Sequence, residues 1–176
     1  ETIPYIEGTA IFKKDKMVGI LNIKETRGLL WLKDSVKGST ISVRLEDEEG
    51  EISMTPTLGN AKYNPEIKDG TWIMNIHIEM EGDIVQNETH LNLMNEQMMN
   101  KLKPKFEEAL KERIAQTIEM LQQEYKADVI EIGKKFHQQY PSAWNKEKNN
   151  WEQKFSEVEV NVDIHAKVRR PGYIGP

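Results

Sequence analysis

Three features of the sequence predict an α+β fold: an antiparallel β-sheet with a long helix and shorter helices packed on one face, and a final strand returning to the sheet. The first is the alternation of apolar and polar residues through Val158, Val160, Val162, Ile164, Ala166 and Val168, the period of a strand with one buried and one wet face. The second is the same period at Trp72, Met74, Ile76, Ile78 and Met80. The third is a recurrence of threes and fours at Phe106, Leu110, Ile114, Ile118, Leu121, Tyr125, Val129, Ile132 and Phe136, which draws one apolar stripe along a helix. Such a stripe needs a partner surface, and the inward rows of the strands offer one.

The elements follow in order. Two apolar runs, residues 8–12 and 17–21, flank Lys13-Lys14-Asp15-Lys16, the chemistry of a hairpin turn. Asn22 caps a short helix, and Glu25 three residues on completes the capping-box spacing. That helix directs Leu29, Leu30 and Trp31 to the core, and Gly38 ends the unit. Ile41, Val43 and Leu45 alternate as a strand, and the acidic run from Glu46 to Glu51 is a solvated turn. A strand resumes over residues 52–63, bent near Pro56 and Gly59, with turns at Asn64-Pro65 and Asp69-Gly70. Asn95 caps a helix to Leu102, and Pro104 starts a second, long helix that runs to about Gln139 with a bend near Gly133. Pro141 ends it, and a shorter helix carries Trp144, Trp151 and Phe155.

Composition bounds the function. The chain has 176 residues, no Cys and a formal net charge of -5. That length suits one domain, residues 1–176. The acidic balance argues against free nucleic acid as a partner, since neutralising phosphates takes a basic patch. Thiolate catalysis and thiolate metal sites are excluded. The longest apolar run is Leu29-Leu30-Trp31-Leu32, far short of the roughly 20 residues of a membrane helix. The chain opens at Glu1 directly into a strand-like stretch, which is expected of a piece of a longer protein.

The motifs of catalysis are missing. No two glycines lie two residues apart, and there is neither a P-loop nor a GxSxG elbow. The histidines, His77, His90, His137 and His165, lack a second His or a Cys at ligand spacing. His77 and His165 fall on the polar faces of two predicted strands. If those strands were neighbours, the rings could share a metal; the ordinary reading is a pair of solvated surface histidines. No catalytic residue, metal or cofactor is therefore expected. Trp144, Trp151 and Phe155 are read as the buried side of a helix rather than a ligand platform, and Met94, Met98 and Met99 as filling at a helix start. One polar group stands out: Glu25, Thr26 and Arg27, on the exposed side of the first helix, form the candidate partner-contact surface. Helix capping explains Glu25 equally well.

Three ordered stretches carry a resemblance: residues 7–19, residues 25–32 with Glu25-Thr26-Arg27-Gly28-Leu29-Leu30-Trp31-Leu32, and the run from Ala127-Asp128 through Trp144, Trp151 and Phe155 to Arg169-Arg170-Pro171-Gly172. Together they resemble the C-terminal domain of the Ger(x)C (GerAC-like) spore germination lipoproteins. Met17 and Ile20 stand where that family is expected to carry Leu and Trp. The resemblance implies a C subunit of a nutrient germinant receptor, working beside integral-membrane A and B subunits. It implies a lipid anchor at the N-terminus, outside this fragment, and a place on the outer face of the spore inner membrane. It supplies no catalytic or ligand residues. The leading expectation is a non-enzymatic interaction module. The alternative is direct binding of a small nutrient, which an enclosed apolar pocket with a few inward polar groups would favour.

Overall fold

The computed structural model describes residues 8–36 and 39–170. A two-stranded ribbon comes first, β1 (Thr9–Lys13) and β2 (Lys16–Leu21), joined through Lys14 in a left-handed conformation. Helix α1 (Ile23–Leu32) follows, and its capping box forms as expected: Asn22 Oδ1 accepts from Glu25 N at 3.1 Å, and Glu25 Oε2 accepts from Asn22 N at 2.8 Å. Gly38 lies outside the described residues. The main sheet has the order β3-β4-β5-β6, with β3 at Ile41–Val43, β4 at Ile52–Lys68, β5 at Thr71–Asn87 and β6 at Glu159–Arg170.

The sheet is antiparallel except at its last pair, where β6 runs parallel to β5. A long hairpin joins β4 to β5 through Asp69 and Gly70, both at positive φ, as a tight two-residue loop requires. Asn64-Pro65, read from sequence as a turn, lies inside β4. The strand tolerates Pro65 because β3 pairs only with Ile52–Met54, so this part of β4 has no outer strand neighbour. Four residues earlier, Ala61 donates its N–H outward to Asp34 Oδ1 at 2.6 Å. Pro65 has the same orientation, and its missing N–H leaves no ladder bond unmade. Asp34 also covers an otherwise open strand edge.

The inward row of β5 is the centre of the core: Trp72, Met74, Ile76, Ile78 and Met80 are all buried. Helix α2 (Glu96–Glu119) lays Leu102, Phe106, Leu110, Ile114 and Ile118 over the sheet. Two expectations for the helices fail. Pro104 does not start a new helix but lies within α2; burial of Leu102 and Phe106 on either side holds the helix through it, so tertiary packing overrides the breaker. The long helix does not continue to Gln139. It ends in a π-helical turn at Met120–Glu124, and the chain reverses through Lys126 and Glu131 at positive φ before α3 (Ile132–Gln139). Asp128 makes the break. Its carboxylate accepts from Ile132 N at 2.8 Å, Gly133 N at 2.7 Å and Trp151 Nε1 at 3.0 Å. In a continuous helix the Ile132 N–H would bond to the Asp128 carbonyl, and the side chain takes it instead. Burial pushes the Asp128 carboxyl above its ordinary value, and the three hydrogen bonds oppose that push.

Helices α4 (Pro141–Glu147) and α5 (Trp151–Glu157) complete the cover. The single helix expected there is split by a 3-10 turn at Lys148–Asn150, yet its rings pack against the core as expected: Phe155 is buried, and the partly buried Trp151 lies 5.9 Å from Trp72 and 4.7 Å from Trp144. Trp31 is 1% exposed. It lies against Gly59, where an added Cβ would come within 2.6 Å of its ring, so a side-chain-free position in β4 lets the indole reach the sheet. Trp31→Ala is expected to cost about 3–5 kcal/mol, measured as a lower midpoint in urea; a wild-type midpoint would contradict the placement.

Candidate functional site

The expected contact group lies where β2 passes into α1 and α1 crosses α2. The crossing is set by Gly28. A Cβ there would meet Thr117 Oγ1 at 2.1 Å and the Arg113 carbonyl at 2.9 Å, so only glycine allows the helices to approach this closely. Thr117 is fully buried, and its single hydroxyl proton is shared between the Glu25 and Arg113 carbonyls, each 3.0 Å from Oγ1. The Glu25 side chain is committed to the capping box, and Thr26 Oγ1 donates to the Leu21 carbonyl at 3.4 Å. Two of the three expected contact residues therefore hold the helix start in place.

Arg27 differs. It lies close enough to the half-buried Arg113 to repel it, and burial together with that repulsion pushes the Arg113 guanidinium below its ordinary value. Arg113 Nη1 is buried with no hydrogen-bond partner. The arginine ion pairs found among the described residues involve Arg44 and Arg169 instead. A like-charged pair with a buried orphan donor is poor as an internal interaction, and a carboxylate brought to the half-buried Arg27 would relieve the repulsion.

The β1–β2 ribbon adds an apolar surface. Ile11 and Leu21 point into the core, whereas Phe12, Met17 and Ile20 on the other face are 55%, 56% and 57% exposed. In the ribbon, Phe12 pairs with Met17 and Ala10 with Ile20, so these side chains form one outward face. Tyr125 fastens the ribbon to the body: its ring occupies the space over Gly19 and its hydroxyl donates to the Ile20 carbonyl at 3.0 Å. Sequence reading found the hairpin but not its outer face. The signal was present, because both parities of the run are apolar, unlike the alternation of β6. Contiguous exposed apolar side chains on a charged surface mark interaction sites.

Other candidates resolve differently. Met98 and Met99 pack against the core, and Met94 is exposed. His77 and His165 do come together on the wet face of the sheet, with ring centroids 5.0 Å apart, while His137 stacks on Trp144. An open groove of about 330 Å³ runs between α2 and β6, lined by Lys111, Glu119, Gln122, Gln123, Val160 and Val162 among others. Its walls are mixed and exposed, unlike a ligand pocket. No helix among the described residues is long and apolar enough to cross a membrane.

A family model described as spore germination B3/GerAC like, C-terminal, matches residues 7–172. The chain belongs to this family. Spore germination protein YndF of Bacillus subtilis (strain 168) is 26% identical over 162 residues, covering 92% of this chain and 40% of that protein. Spore germination protein B3 of the same organism is 27% identical over 172 residues, covering 96% of this chain and 46% of that protein. The crystal structure of the GerBC protein superposes with a TM-score of 0.82 at 26% identity, covering 93% of this chain and 51% of that one. The chain thus spans under half the length of these curated relatives. As a GerAC-like C-terminal domain it keeps the expected α+β fold, and the family stretch at residues 25–28 gains a physical account: cap, anchor, half-buried charge and helix crossing. Gly28→Ala should lose about 1–3 kcal/mol through overpacking at the crossing, whereas Arg27→Ala should stay within about 0.5 kcal/mol of wild type. Thermal melts of the two variants test both values; equal losses would remove Arg27 as a group free for a partner.

Proposed function

We propose that the chain is a non-enzymatic interaction module of a nutrient germinant receptor, acting in assembly or signalling, with the outer face of the β1–β2 ribbon as its docking surface. The observation that carries this is the exposure of Phe12, Met17 and Ile20 on one face, each more than half accessible. Burying such side chains against a partner contributes roughly 1.5–3 kcal/mol apiece. Arg27, half-buried in the helix that follows the ribbon, then offers the partner a cation for a carboxylate. Glu25 and Thr26 support that surface from beneath, through the helix cap.

The partner is the water-exposed part of an integral-membrane A or B subunit. The reading rests on membership of the family together with the exposed ribbon face. A lipid anchor on the longer protein, at the outer face of the spore inner membrane, would hold the module beside those subunits. That attachment draws only on the family resemblance. Direct nutrient binding is the weaker reading, because the groove between α2 and β6 is open and mixed in character.

A pull-down with the water-exposed segments of the A and B subunits, with and without nutrients, tests the proposal. One segment should be retained in both conditions. The double variant F12E/I20E should abolish retention without lowering the melting temperature, and Arg27→Glu should weaken it. Retention that survives F12E/I20E would overturn the docking surface. Saturable calorimetric heat from an amino acid, sugar or nucleoside alone would favour the sensor reading.

A further inference from the structure

The wet face of the sheet carries a second feature, independent of the docking surface. Parallel pairing of β5 with β6 sets His77 opposite Asp163 and Glu79 opposite His165. All four side chains project on the side away from the helices. Asp163 Oδ2 lies 2.9 Å from His77 Nδ1 and 3.6 Å from His165 Nδ1. One ligand atom from each of His77, Asp163 and His165 falls within 4.8 Å of the other two.

We propose that His77, Asp163 and His165 form a binding site for a divalent transition-metal ion of the zinc class, across the seam between β5 and β6. Ligand bonds of about 2.0 Å at a tetrahedral angle put neighbouring donor atoms about 3.3 Å apart. The two Asp163 distances straddle that value, and side-chain rotation that brings the ligand atoms of His77 and His165, within 4.8 Å of each other, to the same separation closes the site. Two imidazoles and one carboxylate select zinc, copper, nickel or cobalt over calcium and magnesium, which take oxygen ligands. Glu79 Oε1 lies 3.8 Å from His77 Nε2, placed to receive that ring's second N–H and fix its orientation, as carboxylates behind metal-bound histidines do. Lys62 Nζ, 3.7 Å from Glu79 Oε1, offsets part of the negative charge of this arrangement. His77 is the more sheltered ring, with a side chain 33% exposed against 68% for His165. The site therefore has a sheltered inner ligand and an exposed outer one. Three protein ligands leave a fourth position toward solvent, open to water or to a side chain of another protein. Because the ligands come from both strands, the ion would fasten β6 to the sheet.

The metal-stripped chain is titrated with zinc by calorimetry at neutral pH and with cobalt by visible absorption. The expected result is saturable binding of one ion, with intense tetrahedral cobalt bands. Asp163→Asn and His165→Ala should each abolish it, and Glu79→Gln should weaken it by about tenfold. His90→Ala, a substitution at an exposed histidine outside the cluster, should leave binding unchanged. Zinc should raise the melting temperature of the wild type and not of His165→Ala. No saturable binding at millimolar zinc, or binding undiminished in Asp163→Asn and His165→Ala, would overturn the proposal. Circular dichroism without metal confirms that each variant is folded before titration.

Discussion

Strand β6 lies beside β5 and runs in the same direction, so the chain between them must cross from one end of the sheet to the other. Parallel neighbours cannot be joined by a tight turn, and a crossover packs onto one face of the sheet. Here the crossover carries every helix described except α1. It lays α2 over the inward row of β5, reverses at Asp128, and returns through α3, α4 and α5 to the start of β6. Gln122 secures the arrival: it is buried, and its Nε2 donates to the carbonyls of Phe155 and Val158 at 2.8 and 2.9 Å. Two carbonyls at the mouth of β6 are thus satisfied from the end of α2, fixing where the strand enters the sheet.

One-sided cover has consequences for both surfaces. Every helix lies on one face, so the opposite face stays wet, and the groups that β5 and β6 place there meet only each other and solvent. On the covered side the apolar rows are consumed by the core. The β1–β2 ribbon stands apart because it belongs to a separate two-stranded sheet and buries only one face against the body. Its second face has no partner within the described residues. The apolar surface available for docking is therefore a remainder of the architecture, located where the crossover does not reach. Arg27 lies in the helix that follows the ribbon, so apolar and charged contributions come from successive elements.

The parts of the fold set by local patterns were readable in the sequence. The alternation of β5, the alternation of β6 and the Asn22–Glu25 cap each depend on residues close together in the chain, and each appears as read. The break after α2 was not readable from periodicity. Leu121, Ile132 and Phe136 are buried on both sides of the break, so the apolar spacing runs on while the backbone does not; the deciding group is one buried carboxylate. The direction of β6 was equally hidden, because alternation is the same for a parallel and an antiparallel strand. That choice decides whether His77 faces Asp163, so the histidine cluster could be foreseen only as a condition on strand neighbours. For the contact group, the sequence indicated exposed polarity at Glu25, Thr26 and Arg27, whereas all three are half-buried; two are committed to the helix start and the third lies near Arg113. The outer face of the ribbon does not follow from the hairpin pattern alone, because apolar residues of both parities leave open which side meets the body.

The central claim is that β5, its parallel neighbour β6 and the crossover helix α2 form one cooperative unit. Native-state hydrogen exchange tests this most directly, followed at the amides of Ile76 in β5, Ile114 in α2 and Ile164 in β6. The account predicts that all three exchange through the same global opening, with equal free energies and equal denaturant dependence. Exchange of Ile164 through a smaller opening, while Ile76 and Ile114 stay protected, would make β6 an accessory strand and contradict the account.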